Sequence, residues 1–204
     1  MYLSRHGTVK INKKGVSPDD PRAYDLLEEG VRGCRNLGSY LQTLTIQNPF
    51  FVDSGLQRTV TSTQLVADSM GIKVVPNKNY YSCAALEEDV PWEGLTNKQK
   101  EKYHCGRHRK KPIKLALELG AEVHTELYQI AEDHPENNLI AILHGGINLA
   151  LIAYITGQLR VMDNCGLYVL ERTENRLRIV SDYISPEKMR EELGKGEKRE
   201  RGIR

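Results

Sequence analysis

Three short apolar runs in this 204-residue chain end in residues that can handle an anion. Tyr2-Leu3-Ser4 leads into Arg5-His6-Gly7, and Leu139-Ile140-Ala141-Ile142-Leu143 leads into His144-Gly145-Gly146. Phe50-Phe51-Val52 leads into Asp53-Ser54-Gly55-Leu56-Gln57-Arg58. An arginine beside a histidine suits a phosphate, because the guanidinium can grip two oxygens while the imidazole attacks phosphorus. The adjoining glycine lets the backbone turn at once and lets a ligand come close to it.

Each run reads as a strand. If the strands lie parallel in one sheet, all three endings meet at one edge, where open α/β sheets bind their ligands. Two histidines and two arginines then converge on one pocket. Such a cluster needs a compensating anion, and a phosphate dianion fits. Helices starting near Leu56 and Ile147 would aim further N–H groups at it.

The intervening chain predicts the frame. Val9 to Asp20 reads as a loop and Pro21 as the opening of a helix. From Ala23 to Leu44, Leu26, Leu27, Val31, Cys34, Leu37, Leu41 and Leu44 recur three or four apart, as on an amphipathic helix. Its Gly30, Gly33 and Gly38 would allow close packing on the sheet. A second helix carries Val60, Leu65, Val66 and Met70 and stops at Gly71. Lys73 to Pro76 reads as a strand, and Asn77 to Lys111 as irregular and polar. A long helix follows from about Pro112 to Asp133, then the buried strand Leu139–Leu143 and a helix from Ile147 to Thr156. Gly166–Leu170 and Arg176–Val180 read as two late strands. The charged end, Pro186 to Arg204, reads as a frayed helix or disordered tail. Alternating strands and helices predict an α/β fold: three α/β/α layers around a mostly parallel sheet.

Composition narrows the class. With 39% apolar and 27% charged residues and a net charge of +2, a globular chain is expected and a nucleic-acid partner is not demanded. No apolar run approaches the roughly 20 residues that span a bilayer. The opening strand leaves no room for a signal peptide ahead of it. Cys34, Cys83, Cys105 and Cys165 form no Cys-x-x-Cys pair, so neither a disulfide framework nor a zinc knuckle is expected, and a reducing cytoplasm fits best. His104-Cys105-x-x-His108 reads as a polar loop rather than a metal site. Oligomeric state is not encoded in any pattern here.

Taken together, the motifs carry a resemblance. Arg5-His6-Gly7 with Asn12 resembles the signature of the histidine phosphatase superfamily, in its phosphoglycerate-mutase-like branch. Leu26-Leu27-Glu28-Glu29-Gly30 is similar to the branch's "Leu-Thr-x-x-Gly" helix start, with Leu27 in place of Thr. Ser54-Gly55-Leu56-Gln57-Arg58-Thr59 with Thr63 resembles its "Ser-x-Leu-x-Arg-Ala…Thr". Leu86-Glu87-Glu88 with Trp92-Glu93-Gly94-Leu95-Thr96 resembles "Leu-x-Glu…Trp-Glu-Gly-Leu-Thr", and His144-Gly145-Gly146 the late His-Gly-Gly.

The resemblance implies roles. His6 is the nucleophile that becomes a phosphohistidine. Arg5, Arg58, His144, Asn12 and Gly145 surround the phosphoryl oxygens. Glu88, with Glu87 as the alternative, is the acid that protonates the leaving oxygen and then activates water. No metal or other cofactor is called for, because two arginines and a histidine supply the positive charge.

The short span from Trp92 to His144 favours a phosphatase, similar to the α-ribazole and broad-specificity members, over a sugar-acid mutase. A pseudoenzyme that binds a phosphorylated partner is the alternative from another class. The expected substrate is a small phosphorylated metabolite. Residues 1–184 are expected to form the catalytic domain, with 77–111 as its cap loops and 185–204 as a tail. The basic run Arg107-His108-Arg109-Lys110-Lys111 with Lys114 falls in that cap. Gly120-Ala121-Glu122 stands where the branch usually has Gly-Glu-Ser.

Overall fold

A computed structural model describes residues 1–12, 22, 24–86 and 110–201. Its centre is a six-stranded sheet in the order β3-β2-β4-β1-β5-β6. The strands are β1 (Tyr2–Arg5), β2 (Pro49–Asp53), β3 (Tyr80–Ser82), β4 (Asn138–Leu143), β5 (Leu167–Arg172) and β6 (Leu177–Ile179). The first four are mutually parallel, β5 runs antiparallel to β1, and β6 antiparallel to β5. The α/β class and mostly parallel sheet are as the sequence implies.

Register aligns the three strand endings. Arg5 stands opposite Leu143 and Asp53 opposite Ile142, so His6, His144 and Ser54 leave the sheet side by side. The His6 amide donates to the Leu143 carbonyl at 3.0 Å, one step beyond the strand pairing.

Strand alternation divides the core into two halves. Phe50, Val52, Leu139, Ala141 and Leu143 face α3 (Lys110–Asp133) and α4 (Gly145–Thr156). Phe51, Ile140 and Ile142 face α1 (Glu28–Thr43) and α2 (Gln57–Ser69). Both helix pairs pack closely through glycine: a Cβ at Gly120 would collide with the Ala150 carbonyl, and one at Gly38 with that of Val66. The glycines of α1 therefore seat it on α2 and on the chain after β1, where Gly30 meets Thr8, rather than on the sheet.

Three expectations are corrected. The first helix begins at Glu28, not near Ala23, because Leu26 bridges Val9 and the Leu27 amide donates to the Thr8 carbonyl at 2.9 Å. Pro21 lies outside the described residues. Lys73 to Pro76 is not a strand. The Asn79 side chain accepts from the Val75 amide and donates to the Lys73 carbonyl, closing the segment as a loop.

The place beside β2 goes instead to Tyr80–Ser82, within the stretch expected to be irregular, and a 3₁₀ turn at Ala84–Leu86 follows. Of the two readings of the charged end, helix is the one found, as α5 (Pro186–Arg201). Ser185 caps it by accepting from the Lys188 amide, and Met189 is buried with Leu193 beside it in the half of the core under α1. Among the described residues no helix is long and apolar enough to cross a membrane.

Candidate active site

His6 and His144 are both buried, at 3% and 0% exposure, with ring centroids 5.4 Å apart in an edge-on arrangement. His6 is held from below. Its Nδ1–H donates to the Gly7 carbonyl at 2.8 Å, which puts the lone pair on Nε2. Burial, reinforced by Arg5 and Arg58 and only partly opposed by the Gly7 bond, pushes the ring's pKa down to about 3. The ring is therefore neutral at physiological pH, as a nitrogen nucleophile must be.

The backbone around His6 is fixed by three other elements. Asn164 donates to the His6 carbonyl at 2.7 Å, the Cys165 amide to the Arg5 carbonyl at 2.9 Å, and the Gly7 amide to the Ser62 hydroxyl at 3.0 Å. Ser62 in turn donates to the Arg58 carbonyl at 2.7 Å, tying this loop to α2.

His144 sits at the N-cap of α4 in extended conformation. Arg58 Nε–H donates to its Nδ1 at 3.2 Å, so the ring proton lies on Nε2 and is donated to Ser54 Oγ at 2.6 Å. Ser54 passes its own proton to Thr59 Oγ1 at 3.0 Å, and Thr59 donates to the Leu56 carbonyl at 2.8 Å. Each hydroxyl in this chain both accepts and donates, so His144 is locked in one tautomer. Burial, with Arg58 beside it, lowers its pKa to about 2.

The arginines are positioned by contact as well as charge. Gly145 lies under the Arg5 guanidinium, where a Cβ would sit 3.0 Å from Cζ, and Arg5 donates to the Met162 carbonyl at 3.3 Å. The Arg58 guanidinium stacks on the Tyr24 ring, 5.1 Å from its centroid.

Asp53, fully buried, accepts from the Gly55 amide and the Ser82 hydroxyl at 2.8 Å and from the Tyr80 hydroxyl at 3.0 Å. It thereby fixes the turn that presents Ser54. The cluster of neutral imidazoles, guanidinium groups and an amide-bearing helix start is suited to holding a tetrahedral oxyanion and attacking its centre.

Sequence reasoning named Arg5, His6, Arg58, His144 and Gly145, and the fold brings them together. Asn12 ends a 3₁₀ turn (Lys10–Asn12). Glu87, Glu88 and Arg107 to Arg109 lie outside the described residues. Asn164, Ser62 and Tyr24 were not foreseen. Their contacts depend on β5 lying beside β1 and on how α2 and the 22–27 segment fold back, which no local spacing announces. Among the described residues, no group of three or more His, Cys, Asp or Glu is placed to hold a metal ion.

A sheet of this order, with buried histidines closing two adjacent parallel strands, defines a class to which the sequence also conforms. The sequence model of the histidine phosphatase superfamily (branch 1) matches residues 1–184, and the chain belongs to that family. Solved structures with the same fold include phosphoglycerate mutase from Bacillus anthracis, 17% identical, with a TM-score of 0.69 over 92% of this chain and 93% of that one. Phosphoserine phosphatase from Entamoeba histolytica, in complex with 3-phosphoglyceric acid, is 15% identical with a TM-score of 0.63 over 90% and 95%. Mycobacterial glucosyl-3-phosphoglycerate phosphatase, in complex with VO3, is 17% identical with a TM-score of 0.63 over 91% and 99%. No curated protein matches by sequence.

Proposed function

We propose that the chain is a metal-independent phosphomonoester hydrolase that works through a phosphohistidine on His6. The observation that supports this most is the pairing of a neutral His6, its Nε2 lone pair fixed by the Nδ1–H bond to Gly7, with a second histidine and two arginines around it. In the proposed reaction Nε2 attacks phosphorus in line as the bond to the leaving oxygen breaks. Arg5, Arg58, His144, Asn12 and the Gly145 amide hold the three non-bridging oxygens. Glu88, or Glu87 in its place, gives the leaving oxygen a proton. The resulting carboxylate takes a proton from water, which attacks the phosphohistidine and frees His6 and inorganic phosphate.

The substrate reading is a small phosphorylated metabolite. Two similar structures bear the names of phosphatases for phosphoserine and glucosyl-3-phosphoglycerate, each of which carries a carboxylate as well as a phosphate. The basic run Arg107 to Lys111 gives this chain cations for such a carboxylate. The cap assigned to residues 77–111, less the strand Tyr80–Ser82 that joins the central sheet and the helix from Lys110, and the catalytic unit assigned to 1–184 belong to the same proposal.

The test is hydrolysis of an aryl phosphate in EDTA by the wild type and His6→Ala, with acid-quenched samples checked for labelled protein. Turnover and an acid-labile, base-stable label, both lost in His6→Ala, are expected. Turnover that survives the substitution overturns the reading. Phosphoryl exchange stimulated by a bisphosphate, with little hydrolysis, would make the chain a mutase instead, the activity named for the Bacillus anthracis structure.

A further inference from the structure

Two thiols meet directly beneath the loop that carries His6. Cys34, on α1, and Cys165, just before β5, are both buried, and their sulfurs are 3.7 Å apart. Each also touches that loop. A Cβ at Gly7 would lie 2.9 Å from the Cys34 sulfur, and the Cys165 amide holds the Arg5 carbonyl at 2.9 Å. We infer that Cys34 and Cys165 are a modification site, at which a hydroperoxide forms a disulfide that displaces the Arg5-His6-Gly7 loop. The predicted effect on turnover rests on the reading of His6 as nucleophile; the bond itself does not.

The backbone supports a purpose for this pair. Cys165 has φ of +60°, in the left-handed region where a side chain other than Asn or Asp is uncommon. Holding a cysteine there points its sulfur at Cys34. Gly33, one residue before Cys34, makes room, since a Cβ there would stand 3.0 Å from the Cys165 sulfur.

The electrostatics divide the labour. The Cys165 S–H bonded to it, aided by the Ser62 hydroxyl and the Gly7 amide, draws the Cys34 thiol below its ordinary pKa against the opposing effect of burial. The same bond and burial push Cys165 up. In the proposed reaction Cys34 is the attacking sulfur and Cys165 the resolving thiol, and the disulfide is the same whichever reacts first.

The chemistry balances. The Cys34 sulfur attacks one oxygen of hydrogen peroxide, the O–O bond breaks, and a sulfenic acid forms while the other oxygen leaves as water. The Cys165 sulfur then attacks the Cys34 sulfur, and its proton leaves with the sulfenic hydroxyl as a second water. Two thiols and one peroxide give one disulfide and two waters, the thiols being oxidised and the peroxide reduced. Burial confines the reaction to a small oxidant and disfavours a bulky one such as oxidised glutathione.

A disulfide needs the sulfurs about 2.05 Å apart. In the proposed step one wall of the loop shifts as the gap closes, either the first turns of α1 against Gly7 or the 163–165 segment that holds the His6 and Arg5 carbonyls. A displacement on the order of 1 Å at a nucleophile costs about a hundredfold in rate.

The test treats the full chain with hydrogen peroxide under native conditions, blocks remaining thiols in denaturant, and maps linked peptides. A Cys34–Cys165 link is expected, together with a loss of about a hundredfold in aryl phosphate turnover that dithiothreitol reverses. Cys165→Gly, which suits the left-handed backbone, and Cys34→Ser should form no link and keep their turnover in peroxide; Cys83→Ser should behave as wild type. Free thiols at both positions after peroxide overturn the proposal, as does a link that forms in a parallel incubation with oxidised glutathione but not in peroxide. A link without loss of turnover overturns its coupling to the site. If no form of the chain hydrolyses phosphate, the phosphatase reading fails, and the peptide map still decides whether the bond forms.

Discussion

The ends of β1 and β4 hold their histidines in opposite ways, although the strands are parallel neighbours and both rings are buried. His6 gives its Nδ1 proton to its own chain at Gly7, so its lone pair is on Nε2. His144 accepts from Arg58 at Nδ1 and gives its Nε2 proton to Ser54, so both of its nitrogens are engaged. One residue type at equivalent strand ends thus becomes a ring whose lone pair lies on Nε2 or a ring with both nitrogens engaged. The neighbours decide which: a glycine carbonyl in one case, an arginine and a hydroxyl chain in the other.

The largest effect should come from removing the ring proposed to attack phosphorus. His6→Asn is expected to lower kcat by at least about ten-thousand-fold and abolish the labelled phosphoprotein, as loss of a nucleophile does. His144→Asn should cost about a hundred- to a thousandfold, the range for one oxyanion contact, and still form a label on His6 in a rapid-quench experiment. Equal losses in the two variants, with no label in either, would erase the distinction.

Ser54→Ala sharpens it further. That change leaves the His144 Nε2–H without its acceptor in a buried place, so urea unfolding should show a loss of about 1–3 kcal/mol. Turnover should fall less than in His144→Asn, because the ring and Arg58 remain.

Acidity probes both rings at once. Each is neutral when folded, with a pKa of about 3 for His6 and about 2 for His144, and takes a proton near 6.5 once unfolded. The unfolded chain then binds more protons, so stability falls as pH drops from about 6.5 towards 3, by up to about 1.4 kcal/mol per pH unit for each ring. Urea midpoints followed from neutral pH to about pH 5 should show this slope, and His144→Gln should reduce it. A slope unchanged by that substitution would mean the ring is not held neutral.

The smallest expected effect is at Tyr24. Its ring supports Arg58 through a cation–π contact worth about 0.5–1 kcal/mol, so Tyr24→Ala should raise KM a few-fold, and Tyr24→Phe should restore it.

Much of the fold was legible because burial is written in pattern. Leu139 to Leu143 is apolar throughout and lies buried on both faces, and the stop at Gly71 follows from its left-handed φ of +73°. The misreadings have physical reasons. Lys73 to Pro76 has the β-branched residues of a strand, but Pro76 lacks an amide and Asn79 folds the segment on itself. At the C-terminal end, where charge left helix and disorder both open, a Ser185-Pro186 cap and the Met189 and Leu193 pair that packs on the core decide for helix. At the site, strand-end residues announced themselves through histidine and glycine. Asn164, Ser62 and Tyr24 did not, since their contacts exist only once distant segments are side by side.

The sheet order also governs when the site can come into being. Tyr2 pairs with Ile140 on one side and with Val169 on the other, so β1 completes no ladder until chain from both distant places is available. At a synthesis rate of about 5–20 residues per second, the first strand waits on the order of ten seconds or more on the ribosome before its neighbours emerge. His6 is made well before the strands on either side of it, so a nascent chain halted before β4 would carry the histidine without its surroundings.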